Sequence, residues 1–358
     1  MNNKPIVADL GHAHEWLQYY SGRKVAVTGA AGTIGRELVR QLLASDAEEI
    51  RLLDNAESAL FSLEGEISDP RVHCFVVDIQ HLHQVERFTA SIHDLIHCAA
   101  YKHVPACERH PVAAVQNNII GVQNVITACR NNGVERVLFT SSDKAVNPTN
   151  VMGTSKLMGE RLITAANTLD LGNETIFAST RFGNVLGSSG SVVPIFQQQI
   201  ANGRPITLTH EAMSRFVMTP ADSALLVLRS LQLAKGGEVF ITKMPALRIF
   251  DLAKRMQAML APANKDCSVK ITGPRPGEKL FEELMTEEEI NRAYEIENFI
   301  VVLPAFRNIY NRIDYSAYEG GAQPDQVYRS DHQELLDADG IDALLLGILG
   351  EIERGEFS

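Results

Sequence analysis

From Arg23 onward, short apolar runs take turns with longer segments that mix apolar and polar positions at helical spacing. Runs of the first kind read as strands buried on both faces, and segments of the second kind as helices laid over them. That alternation predicts right-handed βαβ units around a parallel sheet. The expected strands are Lys24–Thr28, Ile50–Asp54, Val72–Asp78, Asp94–Ala99, Arg136–Ser141 and Thr175–Phe182. Helices are expected over Arg36–Leu43 and Pro111–Arg130, and another should begin near Asn150. Ahead of the first strand, Asp9–Tyr20 looks amphipathic, with Leu10, Trp16, Leu17 and Tyr20 available to dock. Residues 1–22 are therefore expected as an arm packed on its own domain or on a partner subunit.

Composition narrows the class. A chain of 358 residues is long enough for one large core or for two domains sharing a cleft. Its 45% hydrophobic and 22% charged content is that of a globular protein. The formal net charge of -11, with no dense Lys/Arg stripe, argues against a nucleic-acid partner, so an anionic ligand must be held by local cations and helix ends. Apolar stretches such as Ala224–Leu228 and Ala343–Leu349 fall short of the ~20 residues that span a bilayer. Asp9 and Glu15 interrupt any signal-peptide pattern, so a cytoplasmic protein without a membrane span is expected. Cys74, Cys98, Cys107, Cys129 and Cys267 are odd in number and lack C-x-x-C spacing, which suits reduced thiols. His81 and His83 stand apart from any thiol or carboxylate cluster and read as solvated side chains, so no metal site is expected.

Chemistry concentrates in two places. Gly29-Ala-Ala-Gly32-Thr33-Ile34-Gly35 follows a strand and opens a helix, with spacing G-x-x-G-x-x-G. Missing side chains let the backbone approach a pyrophosphate, which then sits on the free N–H groups and positive end of the helix. Asp54, at the end of the second strand, can accept from both ribose hydroxyls and would repel a 2′-phosphate, which favours NAD over NADP. Arg51 nearby keeps NADP open. Asp78 and Ile79 are placed to meet the adenine, with an ordinary strand-end turn as the equal alternative for Asp78. Small Ala99 and Ala100 let a cofactor pass over the fourth strand, and Lys102 either reaches an anionic substrate or is a solvated loop lysine. Asn118, a polar break in an apolar helix face, either stays at the solvent edge or fixes a backbone carbonyl near the site.

The second place is Thr140–Lys156. Ser142, Asp143 and Lys144 bring three groups with proton chemistry to the end of a buried strand, where an open parallel sheet presents ligands. Met152 and Lys156 lie one helical turn apart and share a face. Met152 can neither give nor take a proton. In the second half, the Pro-Gly turn of Arg275-Pro-Gly-Glu-Lys279 lifts Arg275 and Glu278 to a surface where guanidinium can fork onto phosphate.

These residues resemble the extended short-chain dehydrogenase/reductases, and within them the UDP-N-acetylglucosamine 4,6-dehydratases of polysaccharide biosynthesis. The resemblance rests on Thr28–Gly35, Ala99–Pro105, Ser142–Asn150, Arg181–Gly187, Gly190–Pro194 and Arg275–Lys279, and it covers nearly the whole chain. It implies an α/β fold, a Rossmann-type doubly wound parallel sheet with a smaller C-terminal substrate-binding domain. The implied division is an arm over 1–22, a NAD-binding domain over 23–183 with sheet residues from about 216–243, a substrate-binding domain over 184–215 and 244–310, and a C-terminal extension over 311–358.

The resemblance also implies roles. Lys156 matches the lysine on the nicotinamide ribose, and Met152 stands where most members carry a catalytic Tyr, as in a subgroup with Met there. Ser142, Asp143 and Lys144 match the groups that handle the sugar 4-hydroxyl, the acid step and the C5 proton. Asn184, Val192, Thr207, Arg215, Arg275 and Glu278 match positions near the nucleotide diphosphate of a UDP-sugar. The implied reaction oxidises C4 with NAD, eliminates water across C5 and C6, and returns the hydride to C6. A homo-oligomer is implied, with the Pro111–Arg130 and Val151–Ala166 helices as candidate faces. The competing expectations are a nucleotide-sugar epimerase, which needs no Asp–Lys elimination pair, and a non-catalytic NAD-sensing relative.

Overall fold

The computed structural model describes residues 13–168, 175–188, 190–261, 267–274, 277–310 and 312–353. Its strands are β1 (Lys24–Thr28), β2 (Glu49–Asp54), β3 (Val72–Val76), β4 (Asp94–His97), β5 (Arg136–Thr140), β6 (Ile176–Arg181), β7 (Asn184–Val185), β8 (Ile206–Leu208), β9 (Ser214–Met218), β10 (Val239–Thr242), β11 (Ala246–Arg248), β12 (Val269–Ile271), β13 (Ala293–Ile296) and β14 (Phe299–Val302). Nine of them form one sheet in the order β13-β14-β10-β6-β5-β4-β1-β2-β3. β1 to β6 and β10 run parallel, and β14 and β13 close one side as an antiparallel hairpin. Chain order reverses where β1 is flanked by β2 on one side and β4 on the other. At such a switch point the loops after the strands part and leave a crevice at the carboxyl ends.

The six expected strands are present, with trimmed ends. β3 stops at Val76, β4 at His97 and β5 at Thr140, because the residues that follow turn toward the crevice. β13 and β14, assigned by sequence to the substrate half, extend the large sheet instead, and β9 belongs to a three-stranded sheet ordered β11-β9-β7. Together with the pair β12-β8, that small sheet carries its own apolar core, including Leu186, Phe196, Met256 and Leu252. The C-terminal helix Ala338–Glu353 completes this core through Ile341, Leu344, Leu345 and Ile348, so it is no loose extension.

The described part of the N-terminal arm, residues 13–22, docks on its own domain. Trp16, Leu17 and Tyr20 are buried, and the Tyr20 hydroxyl donates to the Leu228 carbonyl at 2.8 Å. Gln232 donates to the Trp16 carbonyl, and both Leu228 and Gln232 belong to the helix Pro220–Leu233. Burial of each such apolar side chain contributes about 1.5–3 kcal/mol, enough to hold a short arm in place. Leu10 lies outside the described residues.

The helix expected over Pro111–Arg130 is one continuous run with an interruption. Pro111–Val115 and Gly121–Asn131 are α-helical, and Gln116–Ile120 between them is a π-helical turn. Single π turns insert one extra residue and re-aim side chains near functional sites. Here the turn buries Asn117 and Asn118. Among the described residues no helix is long and apolar enough to cross a membrane, and no cluster of three or more His, Cys, Asp or Glu could hold a metal.

A buried ion network ties the first half to the second. At the end of β6, Arg181 is 2% exposed and forks onto Glu160 at 2.8 and 2.7 Å and onto Glu289 at 2.9 and 2.9 Å. It also donates to the Leu284 carbonyl. Burial alone would raise the Glu289 carboxyl, but Arg181 outweighs it and holds that carboxyl down at about 2. A depressed carboxyl contributes stability that is complete above its unfolded value of about 4.5 and is lost as pH falls through about 2. Replacing Arg181 with Met leaves Glu160 buried without its ion-pair partner and Glu289 with only Arg292 at 3.7 Å, at a cost of ~3–5 kcal/mol. Urea unfolding is expected to show that loss at pH 7 and a smaller one at pH 4, where protonation relieves the variant.

Candidate active site

The glycine loop after β1 opens the helix Thr33–Leu43, whose N-cap is Gly32 and carries no capping side chain. Its first-turn N–H groups are therefore left for an anion. Gly35 permits the tight turn, since a Cβ there would stand 2.2 Å from the Gly29 carbonyl and 2.6 Å from the Ala30 Cα. Asp54 braces the loop, accepting from the Ala31 N–H at 3.1 Å and the Ala56 N–H at 3.0 Å. Beside it lies a cavity of about 150 Å³ walled by Leu53, Asp54, Val77, Ile79, Ala99 and Asn117, apolar side chains with a carboxylate and an amide among them. Asp78 is not part of that wall. Its carboxylate accepts from the Gln80 N–H at 2.9 Å, the geometry of a strand-end turn. Arg51 is turned away, bound to Glu49 and to the Phe88 and Ala90 carbonyls.

A larger cleft of about 770 Å³ continues from the loop across the strand ends, bringing Gly29, Gly32, Thr33, Ile34, Gly35, Asp54, Ala100, Lys102, Ser142, Lys144, Met152 and Lys156 together. Behind its wall stands Asp143, fully buried and not itself a lining residue. One of its oxygens, Oδ1, accepts from the Ser142 hydroxyl at 2.6 Å and from Lys144 Nζ at 2.9 Å. Among the described residues its Oδ2 has no hydrogen-bond partner. Lys144 Nζ also reaches Asn184 Oδ1 at 3.4 Å. Burial pulls the Lys144 ammonium down, but the charges of Asp143 and Glu282 outweigh it and the net direction is up. The helix Val151–Ala165, capped by the Asn150 side chain on the Gly153 N–H at 2.8 Å, presses on this cluster from the side. A Cβ at Gly153 would lie 2.2 Å from the Lys144 carbonyl, so glycine there is what allows the approach.

On the same helix, Lys156 is buried, donates to the Thr140 carbonyl at 2.8 Å and sits 4.6 Å from the Phe139 ring centre. Desolvation lowers it to about 8. Met152 is 4% exposed and packs with Cys107 and Ala114 while presenting to the cleft. Asn118 takes the second of its two expected roles: it accepts from the Tyr101 N–H at 2.8 Å and donates to the Tyr101 carbonyl at 3.0 Å and to Ser155 Oγ at 2.9 Å. The π turn thus pins the loop on which Tyr101 and Lys102 enter the cleft. Lys102 is exposed at this mouth, yet the surrounding protein desolvates its ammonium enough to lower it.

The second half supplies the far wall: Asn184, Val192, Thr207, Arg215 and Glu278 all line the cleft, whereas Arg275 lies outside the described residues. Arg215 is rigidly held, donating to the Ser214 carbonyl at 2.7 Å and the Lys279 carbonyl at 2.8 Å. Its Nε stands 3.5 Å from Glu282, a buried carboxylate that sequence reasoning passed over. Glu282 sits in an acidic run with Glu283, which reads as a solvated face, so no local pattern betrays its burial. Tyr101, which lines both cavities, was also missed, although it belongs to the Ala99–Pro105 motif.

A family model described as polysaccharide biosynthesis protein matches residues 25–304. An uncharacterised membrane protein of Methanocaldococcus jannaschii is 44% identical over 84% of this chain and 92% of its own length. A UDP-N-acetylglucosamine 4,6-dehydratase (inverting) of Campylobacter jejuni is 35% identical over 88% of this chain and 95% of its own. A UDP-glucose 4-epimerase of Rickettsia canadensis is 34% identical over 77% and 82%. The chain spans about half the length, 49% and 46%, of two further polysaccharide biosynthesis proteins from Bacillus subtilis and Staphylococcus aureus. Among solved structures, Pen from Bacillus thuringiensis superposes with a TM-score of 0.85 at 35% identity, covering 92% of this chain and 99% of that one.

The buried Lys156 generates a prediction that needs no substrate. Its folded value of about 8 lies below the ordinary 10.5, so its burial opposes folding below about pH 8, and the penalty fades as pH rises toward 10.5. Lys156→Met removes that dependence. The difference in urea midpoint between variant and wild type is expected to shift in the variant's favour on going from pH 10 to pH 7.

Proposed function

The chain belongs to the polysaccharide biosynthesis protein family, among the nucleotide-sugar dehydratases and epimerases of the short-chain dehydrogenase/reductase fold, and on that premise we propose that it is a UDP-N-acetylglucosamine 4,6-dehydratase. The observation that carries this reading is the Ser142–Asp143–Lys144 cluster, an acid and a base joined at one oxygen on the wall of a cleft of about 770 Å³. An epimerase moves a hydride off and onto one carbon and has no use for such a pair.

The uncapped helix end, the Gly35 approach and the mostly apolar cavity beside Asp54 fit a dinucleotide, held by Gly29, Gly32, Thr33, Ile34, Gly35, Asp54, Ile79, Ala99, Ala100 and Lys156. NAD is favoured over NADP because Asp54 stands at the cavity while Arg51 is engaged elsewhere. When bound, NAD supplies a reversible acceptor for the sugar C4 hydride, so the net reaction is loss of water. Arg215 and Glu278, with Lys102, Asn184, Val192 and Thr207, hold the nucleotide diphosphate end. Arg275 is a proposed contact from its motif alone.

The chain's own work is proton transfer. The 4-hydroxyl proton enters through Ser142 Oγ, which lines the cleft and already points its hydrogen at Asp143 Oδ1. This takes the place of a phenol at Met152, whose apolar packing leaves that position outside the proton path. Lys144, as the free amine, then removes the C5 proton that a 4-keto group acidifies. Asp143, as the acid, returns its proton through Ser142 to the departing 6-hydroxyl, which leaves as water with the C6–O electron pair.

Incubating the protein with UDP-N-acetylglucosamine and NAD is expected to give a new C6 methyl signal by proton NMR. A shifted ring pattern without a methyl would favour the epimerase and sink the dehydratase reading. Lys144→Ala is expected to lose product and solvent exchange at C5 by ~10²–10⁴-fold while UDP still binds. Met152→Tyr is expected to leave the pH profile in place; a new limb would return position 152 to the proton path. We also propose a homo-oligomer that covers the exposed Val112, Val115, Ile120 and Met158 on the two central helices. Sedimentation of Met158→Lys is expected to show a shift toward monomer.

A further inference from the structure

A count of protons in the proposed reaction leaves one without a place. At rest the Asp143–Lys144 ion pair carries one proton, on Lys144. Oxidation at C4 delivers a second, from the 4-hydroxyl. If these sit on Asp143 and Lys144, Asp143 is an acid as required, but Lys144 is still an ammonium and has no lone pair for the C5 proton. Elimination therefore needs a third group that takes the Lys144 proton and later gives it back.

The structure offers one. Glu282, just before the segment that leads to Leu284 and the Arg181 network, is 4% exposed. Its backbone N–H is held by Ser330 Oγ at 3.0 Å, and its Oε1 faces Arg215 Nε at 3.5 Å. Its Oε2 is buried and, among the described residues, has no hydrogen-bond partner, as is also true of Asp143 Oδ2. Two buried carboxylate oxygens without donors, in groups near enough to act on each other electrostatically, leave room for a proton that neither can supply in the ionised state.

We propose that Glu282 is the third proton site of the cluster, accepting through Asp143 the proton that Lys144 sheds before it attacks C5. Four charged groups bear on it: Asp143, Lys144, Arg215 and Lys279. Desolvation and the Asp143 charge push its carboxyl up, and the three cations pull it down, with a net upward direction. A raised carboxyl is what a transient acceptor near neutral pH requires. The cycle closes without external acid: the 4-hydroxyl proton leaves in water, the C5 proton goes to Lys144 and back to C5, and the Glu282 proton returns to Lys144. Glu282 acts through Asp143 and Lys144, so it is a positioning residue rather than a group in contact with sugar.

This inference rests on the dehydratase reading, and the test separates the two. Wild type, Glu282→Gln and Glu282→Asp, each loaded with NAD, are mixed with UDP-N-acetylglucosamine in deuterated water, following reduced nicotinamide by absorbance and C5 exchange and C6 methyl by NMR. Glu282→Gln keeps the shape but cannot take a proton. It is expected still to bind UDP and to form reduced cofactor, yet to lose C5 exchange and methyl product by ~10²–10⁴-fold. Glu282→Asp is expected to recover part of the turnover with a shifted acidic limb, and it serves as the reading if Gln does not fold. Wild-type turnover and pH profile in Glu282→Gln, or in Glu282→Asp should Gln not fold, overturn the proposal. So does a parallel loss of UDP binding and cofactor reduction, which marks a purely structural role. No methyl product from wild type overturns the dehydratase reading instead.

Discussion

One buried carboxylate oxygen organises the strand-end cluster. Asp143 Oδ1 receives both the Ser142 hydroxyl and the Lys144 ammonium, and because Asp143 is wholly buried, its carboxylate cannot trade either donor for water. The two side chains that face the cleft are thereby fixed by a third that does not. The arrangement holds only because helix Val151–Ala165 lies against the Lys144 backbone at Gly153, which also sets where Met152 and Lys156 emerge. Charge in this wall is expensive, and each charged group is compensated by a neighbour: Lys144 by Asp143, Arg215 by Glu282 and main-chain carbonyls, Lys156 by the Thr140 carbonyl and the Phe139 ring.

The second half of the chain reaches this cluster through a few rigid ties rather than through a linker. Arg181, at the end of β6, bonds Glu289 and the Leu284 carbonyl, and Ser330 meets both the Glu282 N–H and Ser214. The Lys279 side chain bonds the Val146 carbonyl, two residues beyond Lys144. Arg215 and Glu282 are therefore registered to Asp143 by buried hydrogen bonds, and a cleft built this way holds its two walls at fixed separation.

Much of this was legible in the chain. Parallel strands buried on both faces are near-continuous apolar runs, which is why β1, β5 and β6 emerge from the sequence almost to the residue. Strand ends are blurred where the chain turns into the crevice, because Val77, Asp78 and Cys98 are as apolar or turn-prone as their neighbours. The cradle glycines and Ser142–Lys144 carry local spacing and were legible. Asp78 was ambiguous between adenine and turn, and the Gln80 N–H engages one of its two carboxylate oxygens in a turn. The π turn has no signature at the level of periodicity, since one extra residue hardly disturbs an apolar face. Glu282 was invisible for a deeper reason: its meaning comes from Arg215 and Asp143, partners that only the fold brings near. The hairpin β13-β14 shows the same limit, because which sheet a strand joins is decided by long-range pairing.

The central claim is that one site removes a hydride from C4, eliminates water across C5 and C6, and delivers the same hydride to C6. The most direct measurement uses UDP-N-acetylglucosamine carrying deuterium at C4 and follows the label by NMR and mass. The account predicts a product whose C6 is a singly deuterated methyl, with the label retained within one molecule. Deuterium found again at C4 of an intact 6-hydroxy sugar, or no transfer from C4 at all, would contradict it.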